Sequence, residues 1–365
     1  MNSSNDSSVP TDTGEDSLRP PEPWWVFYGD RPLEELPPPP PWRAFSSGTD
    51  GRPSREEWQV RADQYRPGRA EVEMVNAALY LRRPLLITGK PGVGKSSLAY
   101  AVASRLGLER PLVWPITTRA TLASGLYRYD AIGRLQAAAL ESELSRSVAA
   151  EPAGEPGGAE GAPAADPSGI APFLRLGPLG TALATSRPGR PRVLLIDEID
   201  KSDIDLPSDL LNVLEEGAFS IPELERLGPE YTVVVDADGT TEERVEVTGG
   251  RVGCREFPVV LLTSNGERDF PPAFLRRCLR LDIEEPTPDR LSEIVSARLA
   301  GVAPEVAQIA ADLVNDFHRQ REGKDLSTDQ LLNAVYLALK QIDGQRRDRL
   351  SLAKSLQNAL FRELR

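Results

Sequence analysis

Apolar and polar positions fall into blocks along this chain. Over 71–81 the apolar residues Val72, Val75, Ala78 and Leu79 recur at helical spacing. The pattern then changes to a short unbroken run after Pro84, Leu85-Leu86-Ile87-Thr88, which fits a strand buried on both faces. Over 96–106 helical spacing returns, with Leu98, Val102 and Leu106 expected to point inward. Four more apolar runs follow at 112–116, 193–196, 259–263 and 279–283. Strand candidates separated by helical stretches predict an α/β fold built on a parallel sheet flanked by helices.

Between these runs, 202–216 carries an apolar face of Leu206, Leu210, Leu211 and Leu214, which core packing explains. The stretch 230–253 reads as a β-hairpin, with Val233 to Val235 on one arm, Asp238-Gly239 at the turn and alternating valines over 244–248. From Pro288 onward the pattern is helical, with amphipathic stretches at 291–298, 306–317, 331–339 and 350–360. The expected organisation is an arm over 1–55, an α/β core over 56–286 and a small all-α domain over 287–365.

Composition refines the picture at two places. Residues 149–169 contain only Ala, Glu, Gly, Pro, Asp and Ser, a set that cannot form a core and reads as a mobile insertion. Residues 1–22 read as a disordered tail, and Pro37 to Pro41 as a stiff polyproline II spacer. Between them, Trp24-Trp25-Val26-Phe27-Tyr28 either packs on the body of the protein as an arm or docks a partner.

The net charge of −12 disfavours binding to a phosphate backbone, which depends on Lys and Arg displacing counterions. Two cysteines without a CxxC, and a single His, set aside a zinc site and a disulfide framework and suit reduced thiols in a cytoplasmic protein. The N-terminus has neither a basic start nor an apolar run, and no stretch of 18 apolar residues occurs. Neither a secretory signal nor membrane insertion is therefore expected.

Candidate chemistry begins at Gly89-Lys90-Pro91-Gly92-Val93-Gly94-Lys95-Ser96, which fits G-x-x-x-x-G-K-[ST] between a strand and a helix. Glycines let backbone N–H groups curl around phosphate, and the following helix adds its positive end. Lys95 is expected to reach the β- and γ-phosphates of ATP, and Ser96 to offer its hydroxyl to Mg²⁺. Ser97 completes the expected nucleotide-binding set. The second signal is Val193-Leu194-Leu195-Ile196-Asp197-Glu198. Carboxylates are costly inside a buried strand but useful at its C-terminal end, where ligands of parallel sheets bind. Asp197 is expected to hold the metal and Glu198 to polarise a water; a capping pair before the next helix is the plainer alternative.

With these two motifs, Leu261-Leu262-Thr263-Ser264-Asn265 and Phe270-Pro271-Pro272-Ala273-Phe274-Leu275-Arg276-Arg277-Cys278, in this order, the chain resembles AAA+ ATPases over about 60–345, and more narrowly their MoxR-like branch. The resemblance implies that Asn265 is the sensor-1 residue beside Glu198, and that Arg277 is the arginine finger reaching a neighbour's γ-phosphate, with Arg276 as the alternative. It implies a lid in the C-terminal helical domain, and there the sequence departs from the pattern. Asp329 or Gln330 stands where a sensor-2 arginine is expected, with Lys324 and Arg319 nearby as substitutes. It also matches 230–253 to the hairpin that precedes sensor 1 and 119–180 to the helix-2 insertion, of a kind that lines ring pores in relatives, where Tyr127-Arg128-Tyr129-Asp130 and Leu176-Gly177-Pro178-Leu179-Gly180 are candidate substrate contacts.

The resemblance further implies a homo-oligomer, a hexameric ring, that hydrolyses Mg-ATP at subunit interfaces to remodel or mature a protein client. A nucleotide-controlled switch in a bacterial defence or signalling complex is the alternative, and a helicase-type DNA motor is disfavoured by the charge.

Overall fold

The computed structural model describes residues 39–40, 55–148, 169–238, 243–298, 304–321, 326–342 and 361. The aromatic segment 24–28, the insertion over 149–168, Gly239 at the hairpin turn, Lys324 and the helix expected at 350–360 lie outside them. The chain separates into two compact units, Phe45–Ala300 and a second that contains Gly301–Arg365.

The first unit opens with two helices, α1 (Arg55–Asp63) and α2 (Arg69–Leu81). All five apolar runs are strands: β1 (Leu85–Thr88), β2 (Leu112–Pro115), β5 (Val193–Asp197), β10 (Val259–Ser264) and β11 (Leu279–Asp282). They form one five-stranded sheet in the order β11-β1-β10-β5-β2, and every neighbouring pair is parallel. The reason they read as continuous apolar runs is visible in the packing. Leu85, Ile87, Val193, Leu195, Val259 and Leu261 face one hydrophobic cluster, with Trp58 of α1, Val75 of α2 and Leu98 of α3 (Lys95–Arg105). The alternate residues Leu86, Leu194, Ile196, Val260 and Leu262 face a second cluster on the other side. Alternation sends successive side chains to opposite faces, and each fully buried Leu or Ile contributes about 1.5–3 kcal/mol relative to exposure.

The second cluster is closed by α4 (Leu122–Leu126), α6 (Pro178–Thr185) and α7 (Leu206–Glu216), and by a second sheet. That sheet has the order β3-β4-β7-β8-β9-β6, from β3 (Tyr127–Tyr129), β4 (Leu174–Leu176), β6 (Ala218–Ser220), β7 (Thr232–Asp236), β8 (Arg244–Thr248) and β9 (Arg251–Gly253). β7 and β8 pair antiparallel from Thr232↔Thr248 to Asp236↔Arg244. The remaining helices of the unit are α5 (Ala131–Val148), α8 (Pro222–Glu225), α9 (Pro272–Arg277) and α10 (Pro288–Arg298). The sequence reading starts the helical domain at 287, whereas α10 belongs to the first unit. There Arg290 donates to Arg66 O at 2.8 Å and to Glu71 at 3.3 Å.

Two helix faces differ from expectation. Val72 is exposed, and Glu71 takes the inward position, where its carboxylate accepts the Gly68 N–H and pairs with Arg290. Leu106 is also exposed, because α3 ends at Arg105 and Leu106 caps it. In the second unit, α11 (Pro304–Arg321) and α12 (Thr328–Ile342) bury Leu313, Val314, Phe317, Leu331, Leu332 and Val335. Phe317 meets Phe361 edge-on at 5.3 Å. Among the described residues no helix is long and apolar enough to cross a membrane.

Candidate functional site

Three loops leave the same edge of the parallel sheet, after β1, β5 and β10. β1 and β10 are adjacent, with Thr88 beside Ser264, and Leu262 of β10 lies beside Ile196 of β5. From β1 the chain crosses over β10 and β5 to reach β2, and from β10 it crosses over β1 to reach β11. The edge between β1 and β10 is therefore where the winding reverses, the position at which open α/β sheets take ligands.

The loop after β1 is shaped by glycine. Gly89, Gly92 and Gly94 adopt φ of 147°, 79° and 100°. At Gly89 a Cβ would lie 2.5 Å from Ile283 O, and at Gly94 one would lie 2.8 Å from the Tyr65 ring, so side chains are excluded by space as well as by dihedral. α3 starts at Lys95, with the Ser97 N–H donating to Gly94 O at 2.9 Å. Lys95 is 7% exposed, and its ammonium donates to Gly89 O at 2.6 Å, Lys90 O at 2.9 Å and Asn265 Oδ1 at 2.8 Å. Burial pulls the Lys95 ammonium below its ordinary pKa, opposed by the negative charges of Asp200, Asp197, Glu198 and Glu267. The remaining loop residues differ in what their side chains do. Lys90 pairs with Glu285 at 2.8 Å, Val93 packs into the core, and Pro91 is exposed.

Ser96 donates to Asp197 Oδ1 at 2.7 Å, and Thr263 donates to the same oxygen at 2.6 Å. Thr263 Oγ1 also accepts the Glu198 N–H at 2.9 Å. Glu198 holds φ 61° and ψ 50°, a left-handed conformation costly for a residue with a side chain. Its carboxylate is half-exposed and pairs with Lys201 at 2.7 Å, a contact that raises the Lys201 pKa. A hydroxyl and a carboxylate at this spacing suit a hard cation such as Mg²⁺, which takes one or two protein oxygens and completes its shell with water and phosphate. Among the described residues no group of three or more His, Cys, Asp or Glu is placed to hold a metal. The donor set, the glycine cradle and the helix end together fit a nucleotide phosphate with its cation.

Three contributors have no role in the sequence reading. Thr263 links the Asp197–Glu198 corner to β10. Asp200 is 4% exposed and accepts the N–H groups of Asn265 at 2.9 Å and Glu267 at 3.3 Å. Tyr65 lies against Gly94 from the α1–α2 connection, and burial pushes its hydroxyl pKa up. Thr263 stands inside a quoted motif and Asp200 two residues past another, but their bonds span about 65 positions, which local spacing does not reveal.

Other expected residues lie elsewhere. Arg277 ends α9 and pairs with Glu215 of α7, a contact that raises its pKa. Arg276 O accepts from Arg83, and Leu279 N donates to Pro84 O. Both arginines thus sit at the N-terminal edge of the sheet, roughly 13 Å of strand from the phosphate loop of their own chain. Tyr127 donates to Glu223 at 2.9 Å, Tyr129 accepts from Arg134 at 3.1 Å, and both rings pack on the core. Leu176, Pro178, Leu179 and Gly180 are buried. The 176–180 segment is thus enclosed in the core, whereas Arg128 and Asp130 remain exposed at β3, the edge strand of the second sheet. In the second unit, Gln330 Oε1 accepts the Ser327 N–H at 2.8 Å, and Arg319 pairs with Asp316.

Residues 84–278 match the family model described as AAA domain, dynein-related subfamily. The matched span runs from the residue before β1 to the residue before β11 and contains all three loops of the site. No curated protein matches the chain.

Proposed function

Since the chain belongs to the dynein-related subfamily of AAA domains, a family of ATPases with this α/β fold, we propose that it hydrolyses Mg-ATP at sites shared between neighbouring subunits of a ring and uses the cycle to remodel or mature a protein client. Placement in the MoxR-like branch, and a hexameric ring, are parts of this reading.

The observation that carries it is the convergence of three segments at the phosphate loop, where Lys95 hydrogen-bonds Asn265 and its neighbour Ser96 hydrogen-bonds Asp197. When bound, ATP supplies the phosphoryl group, and Mg²⁺ offsets the charge on its oxygens. Lys95 holds the β- and γ-phosphates as a point charge, with backbone N–H groups of 89–96 around them. Ser96 and Asp197 hold the cation. Glu198 takes the proton of the attacking water, and its half-exposed carboxylate can reach solvent. Asn265, beside Lys95, orients that water.

Arg277 acts on the neighbour's site, with Arg276 as the alternative. Their position at the far edge of the sheet supports action in trans, because neither reaches its own loop. An always-charged planar fork suits the charge that develops during phosphoryl transfer. A net charge of −12 favours a protein client over nucleic acid.

The test is ATP turnover per protomer as protomer concentration rises, with sizing over the same range. A cooperative rise that tracks assembly is expected. A flat rate from a species that sizes as a monomer would refute shared sites.

A further inference from the structure

We propose that Asp200 is a positioning residue for ATP hydrolysis, fastening the backbone of the loop that carries Asn265 so that its side-chain amide stays aimed at the phosphate loop. The inference rests on the ATPase reading above. It starts from a carboxylate in an expensive place. Asp200 is 4% exposed, and burying such a group costs several kcal/mol unless hydrogen bonds compensate. Its compensation is partial. Oδ2 accepts from Asn265 N and Glu267 N, while Oδ1 is buried with no hydrogen-bond partner.

An apolar side chain would fill this position at lower cost, so the carboxylate is better explained by what it holds. It holds an exposed turn at two backbone sites, one on either side of Gly266. Gly266 lies between the two donors with φ 78°, and both Gly266 and Glu267 are exposed. Within the turn itself, the Gly266 N–H reaches Ser264 Oγ at 3.0 Å. Asn265 is thus set at its backbone by Asp200 and at its side chain by Lys95, which donates to Oδ1 at 2.8 Å, with Nδ2 also reaching Glu267 Oε1 at 3.5 Å.

Asp200 also sits two residues after Glu198, in the turn Ile199–Lys201. One short segment therefore carries the candidate base and fixes the residue that orients its water. Displacements of about 1 Å in such a group can cost on the order of 100-fold in rate.

The experiment uses the full chain with Asp200→Ala and Asp200→Asn. It reads kcat and KM for ATP, ADP affinity by calorimetry, and amide hydrogen exchange over 265–267. In Asp200→Ala, kcat should fall by about 10- to 100-fold with KM and ADP affinity unchanged and faster exchange at Asn265 and Glu267. Asp200→Asn keeps one oxygen that can accept both N–H groups, and should retain most of the turnover. Full kcat in Asp200→Ala overturns the proposal. So does ADP binding lost in step with kcat, or an Asn variant as impaired as the Ala variant. Should the Ala variant not fold, Asp200→Ser, too short to reach both donors, is read by the same criteria. A wild-type chain that binds ADP without turning over ATP counts against the ATPase reading. In that case exchange decides this one, with unchanged protection at 265–267 in the Ala variant overturning it.

Discussion

Thr263→Val removes one hydroxyl from beneath the Asp197–Glu198 corner and little else, because valine keeps the shape of threonine. That hydroxyl accepts the Glu198 N–H at 2.9 Å and donates to Asp197 at 2.6 Å, at a residue only 1% exposed. Water has no access to replace it. A buried N–H without an acceptor costs about 1–3 kcal/mol, and a hydrogen bond to a charged group is worth about 1.5–3 kcal/mol. Part of the second figure is retained, since Asp197 Oδ1 keeps its bond from Ser96. The left-handed backbone at Glu198 stores roughly 1–2 kcal/mol, which can be released once the N–H is untied. The expected net destabilisation is about 1–3 kcal/mol, or a fall in Tm of roughly 2–12 °C for a unit of this size. Turnover should fall by at least about tenfold as the Glu198 carboxylate loses its position, while ADP binding through the 89–96 loop is kept. Scanning calorimetry and steady-state turnover read both effects, with Thr263→Ser as the variant that restores the hydroxyl. A valine variant with wild-type Tm and turnover would mean that the corner is held by other contacts, and would refute the reasoning.

Two further outcomes are expected. Lys95→Ala should weaken ATP binding by about 1.5–3 kcal/mol, roughly 10- to 150-fold, because the phosphates lose an ammonium; unchanged binding by calorimetry would remove the 89–96 loop from the site. Burial raises the Cys278 thiol from 9.0 to about 12, with Arg83 opposing only in part. The folded state therefore holds this proton more tightly than the unfolded chain. The stability it lends is present in full below about pH 9 and is lost as pH rises from about 9 toward 12. In alkylation at pH 8, Cys278 should react only on unfolding, and labelling of the native protein at Cys278 would contradict its burial.

The central sheet was legible because its strands are buried on both faces. Burial removes the usual alternation and leaves runs such as Val193 to Ile196, which few other structures produce. The glycine-rich loop was legible for a related reason, since the backbone itself demands residues without side chains at Gly89 and Gly94. Most of the second sheet was not read. β3, β4, β6 and β9 are three residues each, too short to show a period, and they pair with segments distant in sequence. Residue-level errors had local causes. Val72 looked inward because it is apolar, but Arg290, more than 200 positions away, makes Glu71 the better residue to bury. The hydroxyl partners of Tyr127 and Tyr129, Glu223 and Arg134, were likewise invisible to local spacing, the first lying 96 positions away. Thr263 and Asp200 illustrate the general limit. Their residue types are ordinary, and only folding shows which distant N–H groups they receive.

One strand joins the two sheets mechanically. Asp197 is the last residue of β5, and Arg192, one residue before its start, is 6% exposed and reaches Glu243 at 2.9 Å and Glu109 at 3.0 Å. Glu243 immediately precedes β8, and its backbone oxygen accepts the Ala237 N–H from the other arm of the hairpin. β5 is thus a push rod of roughly 16 Å, seated in a close-packed interior and pinned at both ends. A small axial slip at the carboxylate end would be delivered through the Arg192–Glu243 pair to the turn end of the hairpin, and a stroke begun at one sheet would be felt at the other.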